Sequence, residues 1–171
     1  MISVMMDCGA DDARLAMTLA ALVPGAVDGI LRDVTLFDRE MDEATRRVAD
    51  HAGVSVEHPA AFHEAIARAK GTWLLLLEPG ARPMEGWIEA CEAHMTRALT
   101  GKVAAARFNR SRLDRPSFFQ RFGAIRHALS EGLLLPKAQA IGVSHMALTL
   151  EEMARGLAAR QLQADIRPRV G

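Results

Sequence analysis

Glu78, Gly80 and Arg82 stand at the exit of the most apolar stretch of the sequence, Gly71-Thr72-Trp73-Leu74-Leu75-Leu76-Leu77-Glu78-Pro79-Gly80. A carboxylate and a guanidinium at the turn after a buried strand lie where open α/β sheets bind ligands, in the crevice beyond the carboxyl ends of the strands. A second acidic pair, Glu151-Glu152, follows Thr149. One of the two could act as a general base toward a hydroxyl held within hydrogen-bonding reach. The alternative is that both support a helix N-terminus after a threonine cap. Asp11-Asp12 and Asp38 follow strand-like segments and would suit a phosphate-receiving pocket. Such a pocket needs a lysine after its fifth strand, and Lys102 precedes that strand instead. Asp7 either caps a turn or meets a polar ligand. His51, His58 and His63 lack the His-Glu-x-x-His spacing of a metal helix and are assigned surface or capping roles, and His127 and His145 have no neighbouring motif partner.

The elements that must position these groups are legible from periodicity. The run Leu74 to Leu77 is too short to cross a membrane and does not alternate, so it predicts a central strand buried on both faces. Ile2 to Met6 predicts a first strand, followed by a helix carrying Leu15, Leu19 and Leu22 that ends at Pro24-Gly25. Ile30 to Phe37 predicts a second strand. A helix built on Val48, Ala49 and Ala52 follows, closed by Gly53. Val54 to Val56 is a brief third strand, with Phe62, Ala65, Ile66 and Ala69 on the next helix. After the central strand, Trp87, Ile88, Cys91, Met95 and Ala98 form an apolar stripe, and Lys102 to Phe108 is a fifth strand. This alternation predicts a single-domain α/β fold with a mostly parallel central sheet flanked by helices.

Beyond Phe108 the pattern changes. Phe118, Phe119, Phe122, Ile125 and Leu129 make an amphipathic helix, suited to covering a sheet edge or to peripheral membrane contact through residues 118–129. The arginines from Arg107 to Arg126 are either solvated charge around that helix or contacts for an anionic ligand. Leu133 to Pro136 predicts a strand, Leu150 to Ala159 a terminal helix, and Leu162 to Ile166 one more strand before the basic tail Arg167-Pro168-Arg169.

Composition narrows the function classes. Among 171 residues, 21 Lys and Arg balance 21 Asp and Glu, so no global field draws in nucleic acid. Cys8 and Cys91 fall in a strand end and a helix and are read as free thiols of a reducing compartment. The first residues lack signal-peptide character, which gives an expected cytoplasmic location, with the inner-membrane surface as a peripheral site.

Five segments together resemble glycosyltransferase family 2, in its compact bacterial branch. They are Ile2-Ser3-Val4-Met5-Met6 through Asp11-Asp12; Asp38 with Glu43-Ala44-Thr45; Gly71-Thr72-Trp73 through Leu77 to Gly86-Trp87; Glu131-Gly132-Leu133-Leu134; and Leu150-Glu151-Glu152. The resemblance implies a GT-A, Rossmann-like fold over residues 1–171. Residues 1–108 would form a nucleotide-binding half and residues 109–171 an acceptor-side half. It implies transfer of a sugar from a nucleoside-diphosphate sugar to an acceptor hydroxyl. Asp11, Asp38, Glu78 and Arg82 would line the donor site, with Glu152 or Glu151 as the base. It also implies Mg²⁺ or Mn²⁺. Where the family carries Asp-x-Asp, this chain has Glu78-Pro79-Gly80, so the motif is degenerate and no metal ligand is assigned. The alternative expectation is a catalytically inactive GT-A-like domain that serves as a ligand-binding or protein-interaction module.

Overall fold

The computed structural model describes residues 1–98, 105–111 and 127–169. In chain order the elements are β1 (Ile2–Cys8), α1 (Asp12–Val27), β2 (Leu31–Asp38), α2 (Glu43–Ala52), β3 (Ser55–Glu57), a single 3₁₀ turn (Pro59–Ala61) and α3 (Phe62–Arg68). They continue as β4 (Trp73–Leu76), β5 (Arg82–Pro83), α4 (Trp87–Ala98), β6 (Ala105–Arg110), β7 (Leu133–Pro136), α5 (Lys137–Ser144), α6 (Leu150–Ala154) and β8 (Ala159–Arg167). The strands form one sheet in the order β3-β2-β1-β4-β7-β6-β8-β5.

The strand predicted as central is central. β4 lies between β1 and β7, and its side chains divide between two cores. Trp73, Leu75 and Leu77 face a core shared with Leu15 and Leu22 of α1, Ala49 of α2 and Trp87 and Cys91 of α4. Leu74 and Leu76 face the other, with Phe62 and Ile66 of α3, Ala140 of α5 and Leu150 and Met153 of α6. A period of two therefore sends successive leucines into opposite layers, which is why the run needs no polar residue.

The sheet is mixed, where a mostly parallel one was expected. β1 pairs in parallel with both β2 and β4, and β2 with β3. β7 then runs antiparallel to both β4 and β6, and β5 is antiparallel to β8. β6 and β8 are parallel neighbours, joined by a connection that runs through β7, α5 and α6, and a crossover of this kind is what parallel pairing requires.

Two boundaries also differ from expectation. α1 passes through Pro24-Gly25 and ends at Val27. Proline in this position sacrifices one hydrogen bond near the end of the helix. The adjacent Gly25 is required by packing, because a Cβ there would lie 2.6 Å from the Trp87 ring. The last helix stops at Ala154, since Arg155 is extended and Gly156 takes φ 75°, which releases the chain into β8. Helix α5 had no sequence expectation. By contrast, α2 closes at Gly53 as expected, with the glycine left-handed at φ 65°. The first residues of the expected fifth strand and most of the 118–129 helix lie outside the described residues.

Candidate functional site

The carboxyl ends of β1, β2 and β4 lie side by side, and the loops that leave them carry Asp7 to Asp11, Asp38 to Met41, and Glu78 to Gly80. At the end of β2, Asp38 Oδ1 accepts the Met41 amide at 2.8 Å, while its Oδ2 is bonded by Arg46. The Met41 amide, followed by Arg46, holds the carboxyl below the ordinary carboxylate range. Inside this turn Glu40 adopts φ 63°, a left-handed conformation that normally selects glycine. The tight backbone is thus kept although bulky residues occupy it.

At the end of β1 the acidic groups serve different neighbours. Asp7 accepts Arg39 Nε at 2.8 Å on one oxygen and the Leu150 amide at 2.8 Å on the other. It therefore caps a helix far away in sequence, α6, as well as fixing Arg39. Arg39 in turn donates to the Leu148 carbonyl at 2.5 Å, so the segment before α6 is tied across the ends of β1 and β2. Asp11 does not cap α1 through its side chain. Its Oδ1 accepts Arg14 Nη1 at 3.0 Å and Arg169 Nη2 at 3.3 Å, while its amide donates to Thr45 Oγ1 at 3.0 Å. Cys8 lies buried beneath this group. Burial, then the charges of Asp11 and Asp38, push its thiol up to about 12.

Beyond the end of β4, Glu78 meets two residues that sequence spacing does not connect with it. His127 Nδ1 stands 3.8 Å from Glu78 Oε1. Glu78, His127 and Glu151 each offer one ligand atom within 4.8 Å of the others. Burial raises the Glu78 pKa above its ordinary value; His127 and Arg169 oppose that rise, and Glu151 adds to it. Two carboxylates and an imidazole facing one another make a donor set for an ion that accepts both oxygen and nitrogen, such as Mn²⁺. Glu151 spends part of its capacity on the chain: its two oxygens accept the amides of Ala128 and Leu129 at 2.5 and 3.1 Å. Each carboxylate oxygen has a second lone-pair direction, so these bonds orient Glu151 without exhausting it. The residues present thus fit a divalent cation, although the sequence assigned no metal ligand.

Glu152 is separate from that trio. Its amide donates to Thr149 Oγ1 at 3.1 Å, and its Oε2 accepts the Leu148 amide at 2.8 Å. This is the helix-supporting arrangement of a capped N-terminus. Glu152 is nonetheless exposed, unlike Glu151. Arg82 sits on β5 opposite Arg167 of β8, and among the described residues its buried Nε has no hydrogen-bond partner. No described contact joins Arg82 to Asp11, Asp38 or Glu78. Arg107 is engaged by backbone carbonyls. Its half-buried guanidinium donates to the carbonyls of Ala128, Gly132 and Ala154 and staples β6 to α6.

The sequence therefore placed Asp11, Asp38, Glu78 and the Glu151-Glu152 pair near the correct strand and helix ends, and missed His127 and Arg169. His127 lies 49 positions after Glu78, so no local spacing could have joined them. Arg169 read only as a basic tail. The grooves elsewhere are unrelated to these groups. One lies between α1 and α2, lined by Ala16, Leu19, Val48 and His51, and another beside Trp73, Glu92 and Met95.

No family model matches the sequence, and no curated protein matches it. Solved structures do match in shape. Glucosyl-3-phosphoglycerate synthase from Mycobacterium tuberculosis, in complex with Mn²⁺, uridine diphosphate and glucosyl-3-phosphoglycerate, superposes with a TM-score of 0.59 at 12% identity, over 99% of this chain and 72% of that one. Mannosyl-3-phosphoglycerate synthase from Rubrobacter xylanophilus gives 0.59 at 12% identity, over 99% and 67%. S. aureus TarS 1-349 gives 0.65 at 11% identity, over 94% of this chain and 57% of that one. At such identities the likeness is one of fold. The chain has a glycosyltransferase-like fold of the kind these sugar-phosphoglycerate synthases share.

Proposed function

We propose that the chain is a nucleoside-diphosphate-sugar glycosyltransferase domain of GT-A, family 2 character. The observation that carries this reading is the convergence of Glu78, His127 and Glu151 at the carboxyl end of the central strand. There a diphosphate and its cation would lie beside Asp11 and Asp38, on a fold shared with a synthase that holds Mn²⁺ and uridine diphosphate. The nucleotide would pack over the ends of β1 and β2. Glu78, His127 and Glu151 would hold the divalent ion, and that ion would supply charge neutralisation for the departing diphosphate.

In the transfer, an acceptor hydroxyl oxygen forms a bond to the anomeric carbon, the bond from that carbon to the diphosphate breaks, and the hydroxyl proton passes to a base. Glu152 is the better placed carboxylate for that proton. It is exposed and spends one oxygen on the Leu148 amide, whereas both oxygens of Glu151 already accept backbone N–H groups. Leu148, Thr149 and Leu150 are fixed by Glu152 and Asp7, so the base would sit on a positioned segment. A second reading, a ligand-binding module without turnover, is favoured by Gly80, which brings no side-chain oxygen to the turn after Glu78.

Calorimetric titration with uridine, guanosine and thymidine diphosphate sugars, with and without Mn²⁺, tests the proposal. Binding strengthened by Mn²⁺ in the wild type and lost with Glu78→Gln is expected. Nucleoside-diphosphate release that falls at least about 100-fold in Glu152→Gln, at unchanged donor affinity, supports transfer. Binding without release in the presence of varied acceptors supports the module. Absence of heat with every nucleotide overturns both.

A further inference from the structure

We propose that His63 and His145, packed ring against ring beside Ser144, form a pH-sensitive latch. It holds the segment between α5 and α6 closed at neutral pH and releases it when both imidazoles are charged. The consequence for transfer rests on the function above, because Leu148 of that segment bonds Glu152; the release itself does not.

The two rings come from different elements. His63 lies half-buried on α3, His145 is the exposed residue that ends α5, and their ring centroids stand 3.7 Å apart with the planes tilted by 46°. His63 Nδ1 lies 2.6 Å from Ser144 Oγ, and the buried Ser144 hydroxyl donates to the Ile141 carbonyl at 2.9 Å. With its one proton committed there, Oγ accepts from His63 Nδ1–H, which leaves Nε2 as the nitrogen that takes a proton. A first proton on the pair therefore keeps the Ser144 bond. A second sets two like charges in contact, and histidine ordinarily changes charge between about pH 5 and 8. Among the described residues no carboxylate is paired with either ring. The charged groups on the elements packed here are mostly engaged elsewhere: Arg68 of α3 by Glu57, Lys137 of α5 by the carbonyls of Ala67 and Ala69, and His58 before the 3₁₀ turn by the Ala60 amide. On α6, Glu151 accepts the Ala128 and Leu129 amides and pairs with Arg155, while Glu152 accepts the Leu148 amide. Glu64, next to His63 on α3, is exposed, where solvent and salt screen its charge.

Little else holds the near end of the segment. Its turn is closed by the Met146 and Ala147 amides, each 3.2 Å from its acceptor, the carbonyls of Val143 and Ser144. Met146 is 93% and Leu148 77% exposed, so apolar burial between His145 and Thr149 is confined to Ala147. The far end is tied down: the Leu148 carbonyl accepts Arg39, the Leu148 amide donates to Glu152, and the Leu150 amide donates to Asp7. The histidine contact thus fastens the loose end of a strap whose other end crosses β1 and β2. In the open strap the rings are apart and take up protons independently, whereas in the closed strap the first proton opposes the second. The open form therefore binds more protons, and lowering the pH favours it.

The test is amide hydrogen exchange of the full chain at pH 7.5 and pH 5, each rate divided by the intrinsic rate at that pH. Protection of the Met146 and Ala147 amides is expected to fall by at least about fivefold at the lower pH, the effect of two unit charges roughly 4 Å apart in water. His145→Phe, which keeps a ring without the charge, should hold its protection at both pH values. So should His63→Gln, whose amide still reaches for Ser144 with one charge removed. The amides of β4 report global unfolding. Equal protection at the two pH values in the wild type overturns the latch, as does the same loss in both variants, which assigns the pH effect to another group. A loss that extends to β4 also overturns it, because the whole fold then opens. Loss confined to the segment, in a protein that binds no nucleotide, supports the latch and removes the function above; nucleotide binding with a segment indifferent to pH does the reverse.

Discussion

Single residues at this site have environments that make opposite demands on their protons. Cys8 and Cys91 are buried, and burial lifts both thiols to about 12. A thiolate is the reactive form, so neither cysteine should react with a disulfide reagent in the native protein at neutral pH, and both should react once it is denatured. A colorimetric thiol count before and after adding denaturant checks this; one rapid native equivalent would contradict the buried placement. Glu78 behaves differently because it is an acid whose pKa burial raises. The folded state then holds its proton more tightly than the unfolded state, so this contribution is fully present below the ordinary value of 4.5 and is lost as pH rises through the folded value. Without metal, Glu78→Gln should therefore raise the melting midpoint at neutral pH by a few degrees and give little gain at pH 4. A midpoint that falls equally at both pH values would show that the Glu78 carboxylate stabilises the fold.

At the scale of elements, the loop after β2 stores a cost that the structure makes visible. Glu40 takes φ 63° without being glycine, within a turn closed by the bond from the Met41 amide to Asp38. A left-handed residue with a side chain costs about 1 kcal/mol relative to glycine. Glu40→Gly should therefore stabilise the protein by up to that amount in a urea titration, part of the gain being offset by the freedom glycine adds to the unfolded chain. A destabilised variant would show that the Glu40 side chain contributes more than its backbone strain costs. Gly71 shows the reverse economy. A Cβ there would lie 2.5 Å from the Ser3 amide nitrogen, so the chain can cross close to β1 only as glycine. The Gly71 amide is then received by Ser3 Oγ at 2.8 Å, and Ser3 is itself bonded to Asp33.

At the scale of the molecule, β4 couples the two helical layers because its leucines enter both cores. Leu75→Ala removes contacts with the layer of α1 and α4, and Leu74→Ala removes contacts with the layer of α3, α5 and α6. Each should cost about 2–5 kcal/mol. Both should also leave a single unfolding transition with the two layers melting together, monitored by far-ultraviolet circular dichroism and by tryptophan fluorescence. Separate transitions would show that the layers are independent. Among the described residues no helix is long and apolar enough to cross a membrane. The aromatic helix expected over residues 118–129 falls largely outside the described residues.

By itself the sequence determined the features that depend on local period and local sterics. The leucine run fixed a two-sided strand, Gly53 ended α2, and Thr149 with Glu151-Glu152 marked a helix start, each because neighbours within a few residues decide the outcome. It also put Asp11, Asp38 and Glu78 at strand ends. Tertiary structure alone decided what those acids touch. Asp7 caps a helix through Leu150, Glu78 meets His127 and Glu151, and Asp11 gathers Arg14 and Arg169, mostly across separations that leave no periodic trace. The direction of β7 was hidden for the same reason. Leu133 to Pro136 reads as the same apolar run whether it pairs parallel or antiparallel, and only its insertion in the sheet between β4 and β6 shows the orientation.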